Sequence, residues 1–211
     1  MYIKRFEVNP VSENTYLLYD ETKEALLIDC GLSSESENAV LQSFIKENEL
    51  KLKILLNTHL HFDHALGNHF IHKTYGIKPQ YHAAEAGMPS LAKQAAYFGI
   101  PISYEPVAAE HFLNDGDEIR FGNTVLKVIY TPGHSPGGLS FYCASQACVF
   151  TGDTLFRRDI GRTDLWGGKE ETLLRSIQTR LMTLPPETVI YPGHGANSTV
   201  EIEKAHNPYI Q

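Results

Sequence analysis

The sequence is poor in cysteine, in long apolar runs and in clustered positive charge. Its three cysteines, Cys30, Cys143 and Cys148, include no C-x-x-C pair and do not make a disulfide framework, although Cys143 and Cys148 flank a short predicted turn. Such sparse thiols are typical of a reducing compartment, so we expect a cytoplasmic protein. Residues 1–7 lack the apolar region of a signal peptide, and no stretch approaches the ~18 apolar residues of a membrane helix.

The charge balance argues against nucleic acid as a partner. The formal net charge is −7 and the pI is about 5.8, and the sequence has no basic stripe that would neutralise nucleic-acid phosphates. We therefore expect neither a nucleic-acid nor a membrane partner, whereas a small anionic substrate stays compatible with local positive charge or a metal. A length of 211 residues fits one domain, which we place at 1–211.

Strand patterns followed by helical patterns occur twice along the chain. Ser34 and Glu37 form a capping box that begins a helix, Glu13 and Asn14 are predicted as a turn, and residues 101–106 are predicted as a loop bounded by prolines. Strands are predicted at 2–8, 15–19, 25–29, 52–56, 79–81, 117–121, 124–130, 138–143, 147–151 and 188–191, and further helices at 65–75, 83–98, 169–184 and 199–206. This order predicts an α/β (α+β) fold with two mixed β-sheets and helices outside them.

The most unusual segment is the run Thr58-His59-Leu60-His61-Phe62-Asp63-His64, which we call the metal loop. It holds three imidazoles and one carboxylate within six residues, and no ordinary packing role requires such a run. The apolar strand at 52–56 precedes it, so the candidate ligands begin where a rigid element ends. A short loop at the end of a rigid element is the usual construction of a metal site.

Three later strand ends repeat this design. The predicted strands lead into Pro132-Gly133-His134, into Gly152-Asp153 and into Pro192-Gly193-His194. A glycine directly before a histidine allows the backbone to turn sharply and aim the ring. One such strand end alone predicts little, but four together predict a metal site.

The inventory of candidate ligands fits two metal ions better than one. It comprises His59, His61, Asp63, His64, His134, Asp153 and His194. One zinc ion takes three or four protein ligands, so seven are about right for two ions. Nitrogen and oxygen donors without thiolate suit zinc, iron or manganese, and of these we expect zinc. Asp153 stands alone on its loop and is the natural carboxylate to bridge ions that lie ~3.5–4 Å apart.

The motif T-H-x-H-x-D-H, followed in order by P-G-H, G-D and G-H-G, resembles the metallo-β-lactamase superfamily over nearly the whole chain. The run G-D-T-L-F-R-R-D-I-G-R-T-D from Gly152 is similar to the short bacterial form of glyoxalase II (hydroxyacylglutathione hydrolase). The resemblance implies a four-layer αββα sandwich with the metals at an open edge between the sheets, and it makes Asp29 a supporting residue and not a ligand. It implies one ion held by His59, His61 and His134, a second held by Asp63, His64 and His194, and Asp153 bridging the two.

Long glyoxalase II enzymes add a helical C-terminal domain that contacts glutathione. Only about seventeen residues follow His194, so we expect no separate domain of this kind. Recognition of a glutathione tail is then weaker or different, and the substrate class extends to other acyl thioesters.

This ligand set permits hydrolysis without a serine or cysteine nucleophile. Metal coordination lowers the pKa of water from ~15.7 to near 7, so a metal-bridging hydroxide is available at neutral pH. Asp63 is expected to orient it, and the metal polarises the substrate carbonyl. A thiolate leaves readily because the pKa of its thiol is ~8.5, whereas an amide nitrogen needs a proton donor. We therefore predict a hydrolase that cleaves a small acyl thioester such as S-lactoylglutathione.

Three residues are candidates for binding the substrate. The resemblance places a basic residue for the glutathione tail at Arg162, although a structural ion pair with Asp164 or Asp159 explains this arginine equally well. Phe156 is a candidate for the pocket mouth and Tyr191 for a position near the substrate. Packing roles for both aromatic residues stay open.

Other activities are compatible with the same residues. A mononuclear-iron persulfide dioxygenase has this fold and the run Gly161-Arg162-Thr163-Asp164, and its iron uses two histidines and one carboxylate. Hydrolysis of another ester, a lactone, a lactam or a phosphodiester is a second alternative. A non-enzymatic binding protein normally loses one or more ligands, whereas all seven are present here. A monomer and a homodimer are equally compatible with the sequence.

Overall fold

The computed structural model describes residues 1–100 and 106–210, so most of the predicted loop at 101–106 lies outside the described residues. The chain divides into two compact units. The first comprises Met1–Tyr81, Pro89–Phe112 and Arg120–Thr124, and the second comprises His82–Met88, Leu113–Ile119 and Val125–Gln211.

A five-stranded mixed sheet, in the order β1-β2-β3-β4-β5, forms the first unit. Its strands are β1 (Tyr2–Val8), β2 (Glu13–Tyr19), β3 (Glu24–Ile28), β4 (Lys51–Leu56) and β5 (Pro79–Gln80). The first three strands pair antiparallel, and β3, β4 and β5 pair parallel. Because β3 and β4 are parallel neighbours, their carboxyl ends meet at one sheet edge, and the metal loop follows β4 there.

Four helices belong to the first unit: α1 (Glu35–Glu47), α2 (Phe62–Ala65), α3 (Asn68–Tyr75) and α4 (Leu91–Tyr97). The predicted capping box is present, since Ser34 Oγ accepts from the Glu37 N–H and the Glu37 carboxylate accepts from the Ser34 N–H. Such a cap stabilises a helix by ~1 kcal/mol. Leu41 and Ile45 of α1 and Ile71 of α3 pack into one buried cluster with side chains of the sheet.

The second unit is built on a six-stranded mixed sheet in the order β13-β12-β9-β8-β7-β6. Its strands are β6 (Glu118–Phe121), β7 (Thr124–Tyr130), β8 (Leu139–Cys143), β9 (Cys148–Gly152), β12 (Val189–Pro192) and β13 (Ser198–Thr199). A separate two-stranded hairpin consists of β10 (Leu155–Phe156) and β11 (Asp159–Ile160). Strands β9 and β12 pair parallel, whereas β12–β13, β7–β8 and β8–β9 pair antiparallel.

Helices cover a buried face of the second unit. They are α5 (Glu170–Ser176), which continues as a π-helical turn at Ile177–Leu181, and α6 (Val200–His206). Leu173 and Ile177 pack with Val149 of β9, Ile190 of β12 and Val200 of α6. Short 3₁₀ turns occur at Ala83–Gly87 and Ala144–Gln146.

The predicted α/β (α+β) class with two mixed sheets and helices is confirmed. The predicted turn at Glu13 and Asn14 is wrong, because both residues are buried in β2 and Glu13 pairs with Val8. Asn9 and Ser12 form the turn instead, with positive φ angles of 53° and 59°. Across the described parts of the chain, no helix is long and apolar enough to cross a membrane.

Candidate metal centre

In the first unit, Asp29 at the end of β3 holds the start of the metal loop, which follows the neighbouring strand β4. Asp29 follows β3 in the left-handed conformation, with φ of 56°, and its N–H donates to the Leu56 carbonyl at 2.8 Å. Its carboxylate accepts from the Thr58 N–H at 2.7 Å and from the Thr58 hydroxyl at 2.8 Å. A single carboxylate therefore holds the first residue of the loop, in agreement with a supporting role for Asp29.

Asp29 also determines which ring nitrogen is protonated on two histidines. His64 Nδ1 lies 2.9 Å from Asp29 Oδ2 and must donate, because an ionised carboxylate only accepts. The Thr58 hydroxyl donates to Asp29, so it accepts from His59 Nδ1 at 2.9 Å. Both histidines then carry the metal-binding lone pair on Nε2.

The imidazoles of the loop are buried and clustered. His59, His61 and His64 are 2%, 4% and 0% exposed. The ring centroid of His59 lies 4.7 Å from that of His61 and 4.1 Å from that of His64. Asp63 is 13% exposed, and its Oδ2 lies 3.8 Å from His64 Nε2. The first unit thus brings together all four candidate ligands of the metal loop.

Two buried amides hold the backbone of this loop. Asn57 Nδ2 donates to the His64 carbonyl at 2.9 Å. Gln94 of α4 accepts from the Phe62 N–H at 3.1 Å and donates to the Leu60 carbonyl at 2.9 Å. The sequence pattern did not indicate either amide, since hydrogen bonds over 7 and 34 residues depend on the folded loop and leave no local signal.

Glu13 is a second buried carboxyl group beside His64. Its Oε1 lies 3.8 Å from His64 Nδ1, and its Oε2 accepts from the Thr15 hydroxyl at 2.7 Å. Ligand atoms of Glu13, Asp29 and His64 all lie within 4.8 Å of one another. Burial raises the pKa of Glu13 well above its ordinary value, which His64 only partly offsets.

In the second unit, Asp153 and His194 follow two neighbouring parallel strands. Pro192 of β12 pairs with Gly152 of β9, and the Gly193 N–H donates to the Gly152 carbonyl at 2.8 Å. Both ligand loops therefore begin at the same sheet edge.

His134 lies on the loop that connects β7 to β8, and β8 is the antiparallel neighbour of β9. The two ends of this loop are joined by a hydrogen bond of 2.8 Å from the Thr131 N–H to the Gly138 carbonyl. Gly133 has a φ of 132°, and a Cβ there would overlap the backbone of Leu173. Glycine is thus required directly before this histidine.

One oxygen of Asp153 faces both candidate ligand histidines of the second unit. Asp153 Oδ2 lies 3.6 Å from His134 Nε2 and 3.6 Å from His194 Nε2. The Asp153 side chain is 12% exposed and that of His194 is 26% exposed, so this group is reachable from solvent. A carboxylate oxygen that faces two imidazole nitrogens is suited to a ligand shared between metal ions.

The backbone after Asp153 orients His134. The Arg162 carbonyl accepts from His134 Nδ1 at 2.7 Å, which again leaves Nε2 as the metal-binding nitrogen. A Cβ on Gly161 would overlap the Asp153 carbonyl and approach His134 Nδ1 to 3.0 Å. Only glycine fits between these two candidate ligands.

The Arg162 side chain makes the ion pair that the sequence left open. Its Nε and Nη2 donate to the two carboxylate oxygens of Asp164 at 2.7 and 2.8 Å. This arginine lowers the pKa of Asp164 to about 2. Both side chains are more than half exposed, so an external carboxylate can reach the guanidinium.

The two aromatic candidates have different surroundings. The Phe156 ring is half-buried and lies nearly perpendicular to that of His194, with 6.3 Å between centroids. Tyr191 is half-buried and stacks on Phe150 at 5.1 Å, and burial raises the pKa of its hydroxyl. The structure thus places Phe156 beside a candidate ligand, while Tyr191 of β12 packs against Phe150 of β9.

The β10–β11 hairpin is anchored to α6. The buried Glu203 carboxylate accepts from the Arg158 N–H at 2.8 Å and from Asn207 Nδ2 at 2.8 Å, and it also accepts from the Ser198 hydroxyl. Asn207 Nδ2 donates in addition to the Asp159 carbonyl at 3.1 Å. The sequence did not indicate this anchor.

These donor groups fit divalent metal ions. The side chains supply imidazole nitrogens and carboxylate oxygens, and His59, His64 and His134 each engage Nδ1 in a hydrogen bond to oxygen. Hydrogen bonding of the second ring nitrogen to an oxygen acceptor is the usual support of metal-binding histidines. The same donors suit zinc, iron and manganese.

Comparison with known proteins places the chain in one family. The family model "Metallo-beta-lactamase superfamily" matches residues 8–194. The chain is 34% identical over 215 residues to the hydroxyacylglutathione hydrolase GloC of Haemophilus influenzae, covering 100% of this chain and 98% of that protein. It is 36% identical over 201 residues to the human mitochondrial persulfide dioxygenase ETHE1, covering 93% of this chain and 70% of that protein.

Solved structures agree with this assignment. The B3 metallo-β-lactamase BLEG-1 superposes with a TM-score of 0.89 at 33% identity and full coverage of both chains. TTHA1623 in a di-iron-bound form superposes with a TM-score of 0.84 at 31% identity, covering 99% of this chain and 100% of that one. The expected metallo-β-lactamase fold is confirmed. This chain belongs to the metallo-β-lactamase superfamily.

Proposed function

We propose that this protein is a dinuclear metal-dependent hydrolase that cleaves a small acyl thioester such as S-lactoylglutathione. The observation that carries the proposal is the single Asp153 oxygen at 3.6 Å from both His134 and His194. A carboxylate in this position suits two ions better than one. The similarity to GloC supports a thioester as the substrate class.

The seven candidate ligands divide into two sets. From the resemblance to the metallo-β-lactamase superfamily we assign one ion to His59, His61 and His134, and the other to Asp63, His64 and His194, with Asp153 shared between them. Zinc is our first choice of metal, and the di-iron form of TTHA1623 supports iron as the alternative. When bound, the two ions would supply hydroxide at neutral pH and polarise the substrate carbonyl.

Asp63 serves as the positioning carboxylate of the nucleophile. The Asp63 carbonyl accepts from Asn9 Nδ2 at 2.9 Å, which fixes its backbone at the start of α2. Its partly exposed carboxylate accepts a hydrogen bond from the attacking oxygen and holds that oxygen toward the carbonyl carbon. A thioester then needs no protein acid, because the thiolate leaves as an anion.

The substrate tail is assigned to the loop after Asp153. Phe156 contacts the acyl thioester beside His194, and Arg162 pairs with a substrate carboxylate by exchanging it for Asp164. Tyr191 is retained as a substrate residue near the mouth of the site, although its ring is stacked on Phe150.

A persulfide dioxygenase is the second candidate function, and the 36% identity to ETHE1 favours it. It would require a single iron bound by two histidines and one carboxylate. A hydrolase of another ester, a lactone or a lactam is a third candidate, and the likeness to BLEG-1 supports including lactams.

One purified sample distinguishes these functions. Metal content is measured by mass spectrometry, thiol release is followed with S-lactoylglutathione and other acyl thioesters, and oxygen uptake is followed with glutathione persulfide. We expect two metals per chain and thiol release. One iron per chain with oxygen uptake, and no thiol release from any thioester, would overturn the proposal. Lactam opening without thioester cleavage would assign the third candidate.

A further inference from the structure

Two of the three cysteines face each other across a β-hairpin. Cys143 is the last residue of β8 and Cys148 the first of β9, and the two are direct register partners. Directly opposed residues of antiparallel strands have Cα atoms ~4.5–5.5 Å apart, which lies within the ~4.4–6.8 Å that a disulfide spans. A bond between the two sulfurs therefore requires no movement of the strands.

The environment of the pair favours one reactive thiolate. A hydrogen bond from Cys148 lowers the pKa of Cys143 to about 6, and the Ser145 hydroxyl, 3.4 Å from Cys143 Sγ, contributes to this shift. The same contact raises the pKa of Cys148. Burial raises the pKa of Cys30, so that third thiol stays protonated. Thiolate character controls cysteine oxidation, and it is concentrated here on Cys143.

We propose that Cys143 and Cys148 are a reversible oxidation site, which a small peroxide such as hydrogen peroxide converts from dithiol to disulfide. The Cys143 thiolate attacks one peroxide oxygen, the O–O bond breaks, and a sulfenic acid forms on Cys143. The departing hydroxide takes up the proton that Cys143 released on ionisation and becomes water. Cys148 sulfur then attacks Cys143 sulfur, the S–O bond breaks, and the Cys148 proton leaves with the hydroxide as water. Two thiols and one peroxide thus yield one disulfide and two waters.

We place the approach of the peroxide at the tip of the hairpin. Both cysteines are buried, whereas the turn Ala144–Gln146 between them is exposed. Cys143 directly precedes this turn and Cys148 follows it after one residue, so the exposed tip is the solvent-facing part of the chain nearest to them in sequence.

The disulfide would form at the far end of β9 from the candidate ligand Asp153. Cys148 begins this five-residue strand, and Asp153 follows its last residue. The rise of ~3.3 Å per residue puts about 16 Å between them. Oxidation is therefore expected to leave metal content unchanged, and the inference does not depend on the proposed function.

The test uses the fully reduced wild-type protein with hydrogen peroxide at pH 7. Free thiols, titrated in denaturant, should fall from the three cysteines of the chain to one. The intact mass should fall by about 2 Da, and dithiothreitol should restore it. Peptide mapping without reduction should find the Cys143–Cys148 crosslink. Loss of these thiols should be at least ~10-fold faster than loss of the Cys30 thiol.

Matched variants assign the chemistry. C30S should still lose about 2 Da, whereas C143S and C148S should not. Three remaining thiols, a crosslink that includes Cys30, or irreversible oxidation of Cys143 without a crosslink would each overturn the proposal. The peptide map of the oxidised wild-type protein tests for the Cys143–Cys148 crosslink even if a serine variant fails to fold.

Discussion

Two carboxylates have different tasks in the proposed metal centre. Asp153 presents one oxygen to His134 and His194, as a shared ligand would. Asp29 instead contacts Thr58 and His64, and through them it sets the protonated nitrogen of the imidazoles. Loss of the first should remove ligation, while loss of the second should disorganise ligands that are still present.

Replacing Asp153 with Ala should therefore reduce the bound metal from two ions per chain to one or none. The reason is that both ions would lose a common ligand, and the two cations would repel each other more strongly without the carboxylate charge between them. Metal content by mass spectrometry after gel filtration measures the effect. Asp159→Ala, an exposed carboxylate on the neighbouring hairpin, is the control and should keep both ions. Unchanged stoichiometry in Asp153→Ala would contradict the shared role.

Arg162 and Asp164 give a test of substrate recognition. If Arg162 pairs with a substrate carboxylate, Arg162→Ala should raise KM for an anionic thioester by ~10-fold or more, with a smaller change in kcat. Asp164→Asn removes the internal competitor and should leave KM unchanged or lower it. Steady-state kinetics with charged and neutral thioesters separate these effects. Equal kinetics in all three proteins would leave only the structural ion pair.

The candidate ligands could be proposed from the sequence because each lies in the segment that follows a predicted strand. Gln94 and Glu203 could not, although both are buried and bind the backbone of candidate site segments. Their partners lie 32 and 45 residues away, and local patterns contain no information about such pairings. Hydrogen-bonded support of a site depends on tertiary structure, whereas ligand type is visible in the residue itself.

At the scale of elements, α4 holds the backbone of the metal loop through the hydrogen bonds of the Gln94 side chain. Replacing Gln94 with Leu keeps a similar volume but leaves the Phe62 N–H and the Leu60 carbonyl without this partner. Each buried unsatisfied group costs ~1–3 kcal/mol, and loss of such support typically weakens metal binding by ~10–100-fold. We expect lower stability in urea and weaker metal affinity in chelator competition.

Gln42 is the matched control for this change, because it is exposed on α1. Gln42→Leu should alter neither the urea midpoint nor the metal affinity. If Gln94→Leu lost stability but kept its metal affinity, α4 would support the fold without positioning the ligands.

The bounds of strands and helices agree with the prediction where one residue pattern was clear, and they differ where residue patterns conflicted or were too short. The strand at Thr124–Tyr130 has the predicted bounds. The helix predicted at 83–98 is instead a 3₁₀ turn and the separate helix α4, since Pro89 lacks the N–H that a continuous helix needs. No strand was predicted over β10 and β11, because strands of two residues are too short to show periodicity.

At the scale of the whole molecule, the candidate ligands extend from His59 to His194 of a 211-residue chain. Ions that bind only the folded chain stabilise it, by ~4 kcal/mol for one site at a free metal concentration 1,000-fold above Kd. Chelation should therefore lower Tm by on the order of 10 °C for a protein of this size. Thermal unfolding with and without chelator measures the change.

Restoring zinc should recover the original Tm, which separates metal loss from irreversible damage. The Asp153→Ala variant is the internal control, and its Tm should respond much less to chelator. A wild-type Tm that does not move on complete metal removal would contradict the link between metal binding and folding.

The cytoplasmic location and the oligomeric state of the protein stay predictions.

The attachment of the β10–β11 hairpin to α6 has a consequence for how this protein diversifies. Glu203 and Asn207 hold the segment that carries Phe156, and neither contacts a candidate metal ligand among the described hydrogen bonds. If the proposed function holds, mutations in α6 would reshape the candidate substrate hairpin while the candidate ligand set is inherited intact. Selection on substrate range and selection on metal retention would then act on separate parts of the chain, so that a new acyl group could be accommodated with the same candidate ligands.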